Sequence, residues 1–198
     1  MKKLMLIIFL AGTFTYLSAQ NDYEITPRNF SIGPMAGVNF ANSDNESTSN
    51  ATGLILGLTS TYSINETSGL GVDLLYTQQG FEFGGIDVRA NYVKVPIMYK
   101  LFFNDLGEAF RPKLSLGLSP GFLVNAKSLE AEVTPSFNKF ETGIIGGVGF
   151  NYRIGNRVWL NADVRADLGL TKLSDGYAGL GELKNRSVGI VLGVAYGL

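Results

Sequence analysis

Between Tyr92 and Phe103 the chain reads YVKVPIMYKLFF, with an apolar residue at every second place: Val93, Val95, Ile97, Tyr99, Leu101 and Phe103. A period of two belongs to an extended strand, whose successive side chains point to opposite faces. The same period recurs along most of the 198 residues, and no helical period competes with it beyond the N-terminal segment. Eight strands are expected: Asn29–Phe40, Gly53–Ile64, Gly69–Thr77, Tyr92–Phe103, Lys113–Asn125, Phe140–Tyr152, Val158–Leu170 and Ser187–Leu198. Repeated hairpins of this kind make an all-β antiparallel meander.

The chain opens MKKLMLIIFLAGTFTYLSAQ. Lys2 and Lys3 before an apolar run Leu4–Leu10, then the small residues of Leu17-Ser18-Ala19, form the pattern of a cleaved signal peptide. The run is too short to span about 30 Å of hydrocarbon as a helix. Residues 1–19 are thus expected to be a signal peptide and 20–198 one exported domain. Losing Lys2 and Lys3 leaves 14 basic against 17 acidic residues, a net charge of −3. With no basic run, nucleic acid is not an expected partner.

The connections alternate in length. Asn65–Ser68 and Arg153–Arg157 are short and Asn104–Pro112 is intermediate, whereas Ala41–Thr52, Gln78–Asn91, Ala126–Lys139 and Thr171–Arg186 are long and polar. One end of the sheet therefore carries four long loops and the other three shorter turns.

The two faces of the strands differ sharply. Within the strands the charged residues are Asp73, Lys94, Lys100, Lys113, Glu141, Asp163, Arg165 and Asp167, and all eight share the face opposite the continuous apolar one. Parity alone does not say which face meets water. A soluble sandwich or lipocalin-like barrel would turn the apolar face inward, and a membrane barrel would turn it outward.

Several features select the membrane barrel. The charged face is rich in glycine, which weakens a water-exposed strand but leaves room for Lys94, Lys100 and Arg165 inside a narrow barrel. Strands of 12 or 13 residues suffice to cross a bilayer at a tilt of about 45°. Phe30, Tyr62, Tyr99, Phe103, Phe150, Tyr152 and Tyr196 fall near the short-turn end, and Phe40, Phe122 and Phe140 near the other, as in interfacial girdles. The expected fold is an eight-stranded antiparallel up-and-down transmembrane β-barrel with four acids and four bases pairing in its interior. Pro34, Pro96 and Pro120 each lack an N–H in a sheet without edges, so bulges are expected there.

The segments YVKVPIMYK, PKLSLGLSPGF, LNADVRADLGLTKL and SVGIVLGVAYGL resemble the outer-membrane beta-barrel domain, porin-like, of Gram-negative bacteria. The resemblance covers nearly the whole exported chain and implies residence in the outer membrane. Gly193, Tyr196 and Leu198 also resemble the terminal-strand signal read by the barrel-assembly machinery. The family implies no catalytic residue.

Enzymatic chemistry is poorly supplied. There is no histidine and no cysteine, which removes Ser-His and thiol nucleophiles and the commonest zinc ligands. Asp163, Arg165 and Asp167 could be drawn as a carboxylate pair around a charge, but their mid-strand position fits an interior salt-bridge network far better. Ser43–Ser47 (SDNES) lacks the spacing of a calcium loop. Gly143–Phe150 (GIIGGVGF) has strand parity and no following helix, so its glycines bind no dinucleotide. No enzyme and no cofactor or metal site is expected. The expected role is structural support of the outer membrane, or surface and envelope interaction through the long loops. Its partners would be outer-membrane lipid and an extracellular or periplasmic protein. The alternatives are a narrow channel for small solutes and a component of an envelope secretion system.

Overall fold

The computed structural model describes residues 28–44, 49–83, 85–128, 131–134, 137–172 and 183–198. The expected signal peptide at 1–19 and part of the SDNES segment lie outside these residues. The strands are β1 (Phe30–Ser43), β2 (Ser49–Ser63), β3 (Ser68–Phe83), β4 (Ile86–Lys94), β5 (Ile97–Phe102), β6 (Phe110–Ser128), β7 (Ala131–Glu132), β8 (Phe140–Arg153), β9 (Val158–Gly169) and β10 (Asn185–Gly197). β4 and β5 both pair with β3 and β6, so together they are one stave of the barrel. β7 is a short return against the end of β6. The remaining strands pair antiparallel in chain order and β10 closes on β1, which gives a ring of eight staves.

Facing follows the period of two. Leu116 and Phe122 are 64% and 60% exposed, while Ser119 between them on the same strand is 0% exposed. Exposed apolar side chains cover the outside of every stave, among them Leu58, Leu74, Ile97, Leu118, Val148, Val164 and Leu192. All eight charged residues named from the sequence are buried inside. A soluble barrel would show the inverse pattern.

The strands outrun their expected limits at the long-loop end. Gln78–Phe83 pairs with Ile86–Asn91, so a segment expected as a loop is a two-stranded extension of β3 and β4. Likewise β2 begins at Ser49 and β6 runs on to Ser128. In this extension the alternation reverses, with Phe81, Val88 and Ala90 buried inside and Glu82 and Arg89 exposed outside, so the apolar-out pattern is lost although the hydrogen-bond ladder continues.

The proline expectation is corrected. The register holds across Pro34, Pro96 and Pro120, and the two irregularities fall instead at Asn50/Ile55 and Asn91/Tyr92. Each proline forfeits a donor but keeps its carbonyl: Asp73 N–H donates to Pro96 O at 3.0 Å, and Val95 N–H donates to Pro120 O at 2.8 Å. One missing hydrogen bond costs about 1 kcal/mol. An inserted residue would shift the register, and a one-residue shift flips the side chains that follow to the opposite face.

Candidate functional site: the barrel interior and its outer mouth

Two ion clusters occupy the lumen. In the first, β4 delivers Lys94 between Glu141 of β8 and Asp167 of β9; its Nζ lies 3.0 Å from Asp167 Oδ2 and also contacts Glu141 Oε1. Asn185 Nδ2 donates to Glu141 Oε2 at 3.3 Å and to Gln79 Oε1, and Gln79 Nε2 donates to Ser187 Oγ at 3.2 Å. In the second cluster, Arg165 Nη1 is 2.6 Å from Asp73 Oδ2, and Arg165 Nη2 is 3.0 Å from Asp163 Oδ2. Thr59 Oγ1 donates to Asp73 Oδ1 at 2.7 Å, and Lys113 Nζ reaches Asp163 Oδ1 at 3.0 Å and Asn151 Oδ1 at 2.6 Å.

The strand triplet Asp163, Arg165 and Asp167 is thus divided. Asp163 and Arg165 share one cluster, while Asp167 serves Lys94 in the other. Lys100 stands apart. Its Nζ donates to Thr61 Oγ1 at 2.8 Å and approaches Ser60 O at 3.5 Å, with no carboxylate in ion-pair range among the described residues.

Glycines make room for these long side chains. A Cβ on Gly71 would overlap the end of the Lys100 side chain, and one on Gly121 would sit 2.7 Å from Lys94 Cγ. Most other inward glycines answer a different need: at Gly33, Gly57 and Gly117 a Cβ would run into a backbone carbonyl of the neighbouring strand.

The lumen also holds an apolar cluster, among buried polar residues such as Asn39, Thr59 and Ser187. Met35, Ile55, Leu75 and Val191 form a buried cluster on β1, β2, β3 and β10. The ionic clusters draw on β3 through β9. A void of about 40 Å³ between this cluster and the ions, lined by Ile55, Leu75, Lys94, Arg165 and Asp167 among others, has room for a few water molecules at most.

At the long-loop end, Phe81, Val88, Ala90, Tyr92 and Ala126 of the barrel wall pack with Phe137 and Leu183 from the loops. Lys94 Nζ lies 5.5 Å from the Tyr92 ring centre, so the cap sits directly above the first ion cluster. Gln79, Asn185 and every member of this apolar cap except Tyr92, which opens an expected strand, fall in segments expected to be loops. Extending the parity of Leu75 and Thr77 to Gln79 and Phe81 would have placed the last two inside. Leu183 and Phe137 carry no such signal.

A closed eight-stave ring with a lipid-compatible outside and a packed polar interior defines an integral outer-membrane β-barrel. The chain belongs to the outer membrane protein beta-barrel domain family, whose model matches residues 18–175. Its place is the outer membrane of a Gram-negative bacterium. No curated protein sequence matches the chain significantly. Among solved structures it is similar to Neisserial surface protein A, with 19% identity over 87% of this chain and 99% of that one and a TM-score of 0.61. It is also similar to OprG of Pseudomonas aeruginosa, with 15% identity over 86% and 95% of the two chains and a TM-score of 0.55. The attachment invasion locus protein Ail of Yersinia pestis matches with 17% identity over 85% and 98% and a TM-score of 0.51. At these identities the likeness is one of fold.

Proposed function

We propose that this protein is a non-conducting, non-enzymatic barrel that supports the outer membrane and holds its outer mouth and long loops as a surface for interaction. The observation that carries this reading is the filled lumen, in which charges are bridged from wall to wall around a void of about 40 Å³. Ions crossing it would have to part buried ion pairs, and removing one partner of such a pair costs on the order of 3–5 kcal/mol. The apolar cap of Phe81, Tyr92, Phe137 and Leu183 adds a second seal and gives the outer end a packed base. On this reading the barrel-assembly machinery inserts the chain, lipid surrounds it, and its protein partner meets the loops. Planar-bilayer recording of the purified, refolded protein is the test. No sustained steps at porin level are expected, and steady large openings would reverse the choice in favour of solute transport.

A further inference from the structure

The lipid-facing surface is not uniform. Across five staves one cross-strand row runs Tyr99, Leu116, Gly146, Ala166 and Val188, each paired with the next. The row below it holds Leu101, Leu114, Val148 and Val164, and the row above holds Ile97, Leu118, Ile144 and Leu168. Bulky side chains thus flank a middle row whose two central members are small. The result is an apolar groove of about 570 Å³ on the outside of the barrel.

The fold does not demand the glycine in its floor. A Cβ on Gly146 would come no nearer than 3.6 Å to any neighbour, an ordinary contact. Every other described strand glycine would bring a Cβ within 3.3 Å of an atom. Backbone crowding or a neighbouring side chain accounts for those glycines, and neither accounts for Gly146.

The groove has a direction. Tyr99 lies toward the short-turn end of its stave and Val188 near the long-loop end of β10, because tilted strands carry a cross-strand row from one interface to the other. The next outward position beyond Val188 is Arg186, exposed and paired across the strands with Leu168 and Asn42. Among the described residues Arg186 has no ion-pair partner. A cation therefore stands one outward position beyond Val188, where the lining of the apolar groove ends.

We propose that this groove is a binding site for one acyl chain of a phosphorylated glycolipid of the outer leaflet, of the lipid A type, with Arg186 receiving its phosphate. The groove increases contact with a chain that a convex barrel wall would touch along one side only. Arg186 supplies the charge that separates this lipid from a neutral one. This site is independent of whatever the loops bind.

Native mass spectrometry of the full-length barrel in detergent, titrated with bisphosphorylated lipid A, reads the site directly. One retained lipid per barrel is expected. Arg186→Gln should weaken retention about fivefold, the worth of one basic residue at a charged surface. Dephosphorylated lipid A should bind the wild type with a similar loss. Ala166→Leu, which fills the floor from a lipid-facing position, should reduce retention, and Gly146→Leu should do the same. Leu58→Ala, on the opposite wall, should leave it unchanged. Heat-modifiable gel mobility establishes that each variant is folded, and Ala166→Leu suffices if Gly146→Leu is not. Equal retention by wild type, Arg186→Gln and Ala166→Leu would show only general annular lipid and overturn the site. So would phosphatidylglycerol held as strongly as lipid A, or a dimer that dissociates on Ala166→Leu, since the groove would then serve another occupant.

Discussion

Arg165 and Asp73 reach each other across the full width of the barrel: β9 and β3 are opposite staves of the ring, and their charged ends meet at 2.6 Å. Neither residue could bridge a wider barrel, so this pair ties lumen width to eight staves. Loss of Arg165 would strand the buried Asp73, left with Thr59 alone, whereas Asp163 would keep Lys113. Arg165→Ala should destabilise the barrel by about 3–5 kcal/mol in urea unfolding from lipid vesicles. A midpoint unchanged from wild type would mean that the cluster is not closed in the membrane.

The two lysines of the fourth stave should respond differently to the same substitution. Lys94→Met leaves Glu141 and Asp167 buried without their cation, at a cost again of about 3–5 kcal/mol. Lys100→Met removes one hydrogen bond to Thr61 and one buried charge that lacks a carboxylate in range, so the change should stay within about 1.5 kcal/mol. Comparing the two unfolding curves checks the contrast, and equal losses would contradict the partner assignment.

Pro96 offers a test of the register. Asp73 N–H already donates to its carbonyl, and in an antiparallel hydrogen-bonded pair the two residues exchange both bonds. Pro96→Ala should therefore gain a protected amide facing the Asp73 carbonyl, with net stability within about 1 kcal/mol of wild type. Hydrogen exchange read by NMR reports it; rapid exchange at position 96 would indicate a bulge after all.

The facing of the strands can be read by spin labels, since the chain has no cysteine of its own. Labels at Leu116 and Leu118 should be accessible to oxygen dissolved in lipid and shielded from an aqueous relaxing agent. At Ser119, which is fully buried, a label should be immobile or should block folding. The reverse phase would place the lysines in solvent.

Much of this architecture was legible in the chain. The alternation around Val93, Val95 and Ile97 fixes strand identity, and the confinement of eight charges to one face fixes which residues share an environment, because strand geometry is local. Glycine on that same face told inside from outside, since Gly71 and Gly121 leave room for Lys100 and Lys94. Other features depended on distance in sequence. Ion pairing within the lumen joins residues as far apart as Arg165 and Asp73, 92 positions, and no local period records which of four carboxylates a base will reach. The extension of β3 to Phe83 was hidden because the alternation reverses beyond Thr77, with apolar Phe81 inward and Glu82 outward, while backbone hydrogen bonding continues regardless of side chain. The period of two sets Gly146 with Ile144 and Val148 on the lipid face, apart from Gly143, Gly147 and Gly149, but does not say what stands beside it. Only the closed sheet, by setting it beside Ala166 between rows of leucine and valine, made its missing side chain a groove, because a concavity exists only between neighbours that folding has brought together.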